Sequence, residues 1–280
     1  MKRILITAKH SYIGNSFAEW TNGKYGIDFI SCRTDEWKQS SFSVYDAILH
    51  VAGIAHIKES RDNIKLYYEV NRDLTIELAA KAKTDGVKQF IFLSSMSVYG
   101  IESGTINKDT PTNPKNNYGI SKIEAENQIK LLENDHFKIT TIRPPMVYGM
   151  GCKGNYSRLA KMALKLPIFP SVDNQRSMIH IDNLSEFLML LIEDCSSGVY
   201  FPQNSEYVNT SEMVWLIAEF NGKKIRMIKL FNPLLSLLGN KIGIVNKVFG
   251  DLVYDKEMSI QKKNYCLHDL KESIRKTELG

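Results

Sequence analysis

The chain of 280 residues is poor in the features that would make it a disulfide-stapled, metal-stapled or membrane-spanning protein. Its four cysteines, Cys32, Cys152, Cys195 and Cys266, lie far apart and form no CxxC pair. That spacing excludes a disulfide scaffold and a structural zinc site, and it fits a reducing cytoplasm. The six histidines show no ligand spacing, so no metal is expected. No uninterrupted apolar stretch is long enough to span a bilayer. Met1-Lys2-Arg3 and the apolar residues after it imitate a signal peptide, but Lys9-His10 break the stretch and a first strand is the better reading. Repeats and low-complexity segments are lacking too. The net charge of +5 is dispersed, with no basic stripe and no matching motif, so nucleic acid is not an expected partner.

What remains is an ordinary globular composition, 43% hydrophobic and 24% charged, long enough for one large domain or a domain with a lobe. Strand-like stretches at Lys2 to Thr7, Asp28 to Cys32, Ala47 to Ala52, Gln89 to Ser95 and Lys138 to Arg143 alternate with helical stretches. The helical ones are Asn15 to Thr21, Ser60 to Thr84 and Asn117 to Glu133. Parallel strands need a crossover long enough for a helix, so the alternation predicts an α/β fold with a doubly wound parallel sheet. Residues 1–150 form the expected sheet domain, with elements returning to it around 176–193. Residues 151–280 form mainly a smaller lobe. Asp182 to Glu193, Thr210 to Asn221 and Leu234 to Leu238 read as helices. The apolar stretch Leu230 to Phe249 reads as lobe packing, with a partner or membrane surface as the other reading.

Ligands on such sheets bind at the carboxyl ends of the strands, and glycine is scarce in the first of these loops. The stretch after β-branched Ile4-Leu5-Ile6 reads Thr7-Ala8-Lys9-His10-Ser11-Tyr12-Ile13-Gly14. A phosphate-binding loop of the T-G-x-x-G-x-x-G kind would place glycines at the positions of Ala8, Ser11 and Gly14, and only Gly14 is one. Ala8 suits the turn only at negative φ, because a Cβ strains the left-handed region. The helix N-terminus still favours an anion, and Lys9 or His10 adds positive charge.

Tyr118-Gly119-Ile120-Ser121-Lys122 opens a predicted helix. Residues four apart share a face, and an ammonium beside a phenol favours the phenolate and lowers its pKa. Such a pair passes a proton to or from an alcohol oxygen. The spacing alone is weak, since about one such pair is expected by chance. Upstream, Ser94-Ser95-Met96-Ser97-Val98-Tyr99-Gly100 follows a strand and offers a serine hydroxyl to the same oxygen.

In order along the chain stand the strand-turn-helix, HVAGIAH, Val70-Asn71, SSMSVYG, YGISK, RPPMVYG, GCKGNY and RSMIHIDNL. This set resembles the extended short-chain dehydrogenase/reductases of the NAD-dependent epimerase/dehydratase family, which act on nucleotide sugars through a Rossmann-type domain. The likeness covers residues 1–190. It implies Ser95, Tyr118 and Lys122 as catalytic residues. It implies a dinucleotide held by Thr7, Ala8, Ser11, Tyr12, Ile13, Gly14, Arg33, Val51, Ala52, Gly53, Tyr118, Lys122, Pro144 and Met146. Substrate would meet Ser95, Lys153, Asn155 and Arg176, the last because a guanidinium fork suits a phosphate. A homodimer built on a two-helix face is also implied.

Three departures narrow the reading. Met96 and Ser97 stand where 4,6-dehydratases of the family carry Asp-Glu, so that reaction is not expected. Cys32-Arg33 replaces the acidic residue that would bind a ribose 2′-hydroxyl, which favours NADP over NAD. Met146 stands where many epimerases carry asparagine. The expectation is a cytoplasmic 4-keto-sugar reductase working on a UDP-linked sugar for surface polysaccharide. A UDP-sugar 4-epimerase with tightly held NAD is the alternative, and a dinucleotide-binding protein without catalysis is the alternative of another class.

Overall fold

The computed structural model describes residues 1–55, 59–60, 63–230 and 248–280. Two compact units emerge. The first comprises residues 1–100, 111–144 and 185–202, and the second residues 101–110, 145–184 and 203–280.

The first unit is built on a six-stranded sheet whose pairs are all parallel. Its strands are β1 (Arg3–Thr7), β2 (Gly26–Ile30), β3 (Ala47–His50), β4 (Gln89–Leu93), β6 (Lys138–Ile142) and β10 (Gly198–Tyr200). From edge to edge they run β10-β6-β4-β3-β1-β2. The sheet strands are short and dominated by Ile, Leu and Phe because they are covered on both faces. Against one face pack Leu78, Ala79 and Ala82 of helix α3 (Leu74–Thr84) and Ala125 and Ile129 of helix α4 (Asn117–Lys130), around Phe90 and Phe92. The segment from Arg33 to Asp46 contains no strand and forms only a 3₁₀ turn, Asp35–Gln39. The chain therefore crosses from β2 directly to β3, on the other side of β1. The strand order reverses there, and the crevice opens at the carboxyl ends of β1 and β3.

Several boundaries differ from the sequence reading. Helix α1 (Tyr12–Thr21) starts at Tyr12, not Asn15, because the Ser11 hydroxyl accepts the Gly14 N–H and caps it. Strand β2 ends at Ile30, two residues before Cys32. The expected helix over Ser60 to Thr84 is α2 (Ile64–Tyr68) running into α3 through a π turn at Glu69–Asp73, and residues 61–62 of it lie outside the described residues. So do the expected helix at Leu234 to Leu238 and residues 231–247 of the apolar stretch 230–249.

In the second unit, β7 (Met146–Tyr148) pairs with β9 (Met178–His180), β8 (Ile168–Pro170) with β11 (Arg226–Ile228), and β12 (Leu252–Tyr254) with β5 (Gly104–Ile106), all in parallel. Helix α7 (Thr210–Phe220) packs against both α5 (Asn155–Lys165) and α8 (Leu270–Leu279). Helix α6 (Ile181–Glu193) begins in this unit and ends in the first. The Tyr148 ring stacks on Tyr156 with centroids 5.3 Å apart. Its hydroxyl shares a hydrogen bond with Ser273 Oγ and accepts one from Asn204 Nδ2. Among the described residues no helix is long and apolar enough to cross a membrane.

Candidate active site

The loop after β1 holds a strained residue. Ala8 has φ +69°, contrary to the negative φ expected of it. Its amide donates to Ile30 O and its carbonyl accepts the Ser11 N–H at 2.9 Å, which pins the turn from both sides. Alanine thus adopts here the conformation that glycine adopts without cost. Gly14 is needed for a different reason. A Cβ on it would lie 2.8 Å from Ile6 Cγ2 and 3.3 Å from Val51 Cγ2, so α1 sits directly on the sheet. The amide end of α1 faces the loop, and the side chains of Lys9, His10 and Arg33 are exposed.

Beneath this loop is a buried network. The Thr7 hydroxyl accepts the Val51 and Ala52 N–H groups, both at 3.1 Å, and meets His50 Nδ1 at 2.9 Å. His50 Nε2 lies 2.9 Å from Thr75 Oγ1, which donates to Asn71 O. These directions assign the tautomer. Thr75 has spent its proton on Asn71, so His50 must donate through Nε2 and accept from Thr7 at Nδ1. Burial pushes the His50 pKa down to about 3, which keeps the ring neutral. Thr7 therefore ties together the ends of β1 and β3 from below. Asn71 continues the network. It accepts from Ile54 N and donates to Ile54 O and to Ser121 Oγ, and the π turn is what places it there.

Ser95 and Tyr118 come together through a close contact of backbones. Asn116 caps α4 by accepting the Gly119 N–H at 2.8 Å. A Cβ on Gly119 would lie 2.7 Å from Ser97 O and 2.9 Å from Pro114 Cβ, so only glycine lets the first turn of α4 approach the turn after β4. Ser95 caps that turn, with Oγ accepting the Ser97 N–H and sharing a hydrogen bond with Ser97 Oγ. The Tyr118 phenol has its pKa raised by burial, and its bond with Ser95 opposes the shift.

Lys122, one turn along and 4% exposed, does not lower the phenol pKa as expected. Its Nζ donates to Leu93 O at 2.9 Å and stands 4.6 Å from the centre of the Phe92 ring. Burial drives its own pKa down to about 7. A Cβ on Gly53 would lie 3.2 Å from Nζ, which leaves bare backbone beside the ammonium.

One ion pair escaped the sequence reading. Arg143 binds both oxygens of Glu126, with its shortest contact 2.6 Å, and donates to Tyr99 OH at 2.9 Å. Ser94 Oγ donates to the same carboxylate. This cluster joins the carboxyl ends of β4 and β6 to the face of α4 that carries Lys122. Its sequence signal was Glu126, four residues after Lys122, and the arginine of RPPM.

The remaining site residues divide between the units. Pro144, buried in the first, accepts the Met96 N–H through its carbonyl at 3.0 Å. Met146, Lys153, Asn155 and Arg176 belong to the second. Lys153 and Asn155 are exposed at the start of α5. Arg176 donates to Gly250 O at 2.9 Å, and burial lowers its pKa.

The first unit fits a nicotinamide dinucleotide. The Gly14 contact brings a helix N-terminus to the crevice, and Gly53 opens the wall next to Lys122. The model of the NAD dependent epimerase/dehydratase family matches residues 13–202. A UDP-glucose 4-epimerase of Vibrio cholerae is 33% identical over 228 residues, 74% of this chain and 68% of that protein. An N-acetyl-α-D-glucosaminyl-diphospho-ditrans,octacis-undecaprenol 4-epimerase of Escherichia coli O157:H7 is 30% identical over 218 residues, 74% of this chain. The chain spans only 65% of that protein's length. Among solved structures, the UDP-glucuronic acid 4-epimerase of Bacillus cereus with NAD superposes with TM-score 0.76 at 18% identity, covering 98% of this chain and 94% of that one. A dTDP-4-dehydrorhamnose reductase of Clostridium acetobutylicum gives 0.75 at 17% identity, covering 98% of both. These two likenesses speak for the fold alone. With the family match over residues 13–202 and the relative at 33% identity, this chain belongs to the NAD dependent epimerase/dehydratase family of nicotinamide-dependent enzymes.

Proposed function

We propose that the protein is a 4-keto-sugar reductase that acts on a sugar carried by a diphosphate, with a UDP-linked sugar as the expected substrate. The observation that carries this reading is the cluster of Ser95, Tyr118 and Lys122 at the carboxyl ends of β4 and β3, next to the Gly14 loop. The nicotinamide, when bound, supplies the hydride. Tyr118 gives its phenolic proton to the C4 oxygen as the carbonyl becomes an alcohol. Ser95 donates a hydrogen bond to that oxygen and holds it in line. Lys122 leaves Leu93 O and presents its ammonium to the cofactor ribose and to the phenolate left on Tyr118, lowering the cost of that charge. Thr7, Ala8, Ser11, Tyr12, Ile13 and Gly14 would hold the pyrophosphate, which a helix N-terminus favours. Val51, Ala52 and Gly53 would form the wall under the cofactor, and Pro144 and Met146 would meet the nicotinamide. Lys153, Asn155 and Arg176 take the diphosphate of the substrate. Exposed Arg33, with no carboxylate in the place of Cys32, favours NADPH, which a reductase must exchange every turnover.

A second reading, a 4-epimerase, is favoured by the activities named for the Vibrio and Escherichia relatives. The Escherichia name also extends the possible carriers from a nucleoside diphosphate to a polyprenyl diphosphate. Mass spectrometry of molecules released from desalted protein separates the two. Protein free of cofactor that oxidises NADPH with a 4-keto-sugar supports the reductase, and stoichiometric retained NAD⁺ overturns it. Tyr118→Phe is expected to lower kcat by about 10²–10⁴-fold while sparing cofactor binding. A panel of UDP-linked sugars and 4-keto-sugars that yields no turnover would leave only a dinucleotide-binding protein.

A further inference from the structure

The second unit carries a surface outside the residues assigned to the reaction. The sequence has no acidic residue from His136 to Val172, and none again from Phe220 to Gly250. The parallel pairing of β8 with β11, Ile168 opposite Arg226, joins described parts of these two stretches into one surface. On α5, Lys161, Met162 and Lys165 recur at helical spacing on the exposed side, opposite buried Tyr156, Leu159 and Ala163. The chain leaves α5 through Leu164, Leu166 and Ile168, which are 40%, 40% and 39% exposed. Exposed Lys224 and Arg226 approach from the other strand.

None of these four cations forms an ion pair among the described residues, whereas several cations elsewhere in the chain do. Lys38 meets Asp35 and Glu77, Arg72 meets Asp73 and Glu124, and Arg275 meets Glu272. A solvated lysine face ordinarily mixes both signs, and this one does not. The cores of protein–protein interfaces are depleted of lysine. Long aliphatic side chains set among unpaired cations suit a bilayer instead. The aliphatics enter the headgroup boundary, while lysine stems lie along it with their charges on anionic headgroups.

We propose that the face built from α5, its exit through Ile168 and strand β11 docks the protein on an anionic lipid bilayer. The reading does not depend on which reaction the site performs. Co-sedimentation with phosphatidylcholine vesicles, with and without phosphatidylglycerol, tests it on the full chain. The protein is expected to pellet with the phosphatidylglycerol vesicles and to be released by salt. The double variants Lys161→Glu/Lys165→Glu and Lys224→Glu/Arg226→Glu are each expected to lower the partition coefficient about tenfold or more. Leu164→Ser/Ile168→Ser is expected to lower it as well, through the lost apolar contact. All these positions are exposed, so thermal unfolding should not move, and melting curves verify that each variant is folded. Protein that stays in the supernatant with phosphatidylglycerol vesicles overturns the proposal. So does an equal loss on Lys108→Glu/Lys115→Glu, which changes net charge on exposed residues outside this face.

Discussion

The Lys122 ammonium donates to the Leu93 carbonyl at 2.9 Å, which ties helix α4 to the last residue of strand β4. Lysine is costly to bury as an ion. Here the carbonyl, the Phe92 ring and Glu126 one turn along offset part of that cost, yet its pKa still falls to about 7.

This burial has a sign in stability. Unfolded lysine keeps its proton to about pH 10.4, whereas folded Lys122 gives it up near 7. The unfolded chain holds more protons between those limits, so stability is expected to rise with pH there. Urea midpoints measured between about pH 7 and about pH 9.5, below the phenol range, should show the slope. Lys122→Met should flatten it, and an unchanged slope in that variant would show that Lys122 is not its source.

The loop after β1 predicts an easy gain. Ala8 at φ +69° carries a strain that glycine does not, worth about 1–2 kcal/mol, against which the looser unfolded chain of the glycine variant costs less. Ala8→Gly is expected to raise stability by about 1 kcal/mol and to leave cofactor binding intact or tighter. A drop in melting temperature would contradict the strained turn.

The ion pair between Glu126 and Arg143 is buried, with side chains 5% and 11% exposed. Removing one partner strands the other charge, so Arg143→Met is expected to cost about 3–5 kcal/mol. The double variant Glu126→Leu/Arg143→Met leaves no stranded charge and should recover most of the loss in chemical denaturation. Equal destabilisation by single and double variants would mean that packing around Tyr99 and Phe201, not charge, sets the cost.

Gly119→Ala separates geometry from chemistry. The added methyl would meet Ser97 O at 2.7 Å, and backbone cannot yield as a side-chain end can. Overpacking of this kind costs about 1–3 kcal/mol, and relief by displacement would move Tyr118 from Ser95. The variant is expected to lose kcat while Kd for the dinucleotide changes less. Full activity in Gly119→Ala would show that the turn shifts without moving the phenol.

The alternation of Ile- and Phe-rich strands with capped helices was enough to read a parallel α/β sheet, because two-sided burial leaves that pattern in a chain. Spacing placed Tyr118 and Lys122 on one helix face, and the order of motifs brought Ser95 to them. Tertiary structure decided what local pattern cannot express. Ala8 is left-handed because bonds to Ile30 and Ser11 hold it there, overriding its own preference. The Tyr118 phenol has a raised pKa because its own burial outweighs the bond from Ser95. Asn71 faces inward only because a π turn rotates it, and Arg143 finds Glu126 only when β6 lies beside β4. The unpaired cations of α5 and β11, some sixty residues apart in the chain, become one surface because β8 and β11 share a ladder. Periodicity reports which side of an element is buried, while partners far apart in sequence are chosen by the packing of elements against one another.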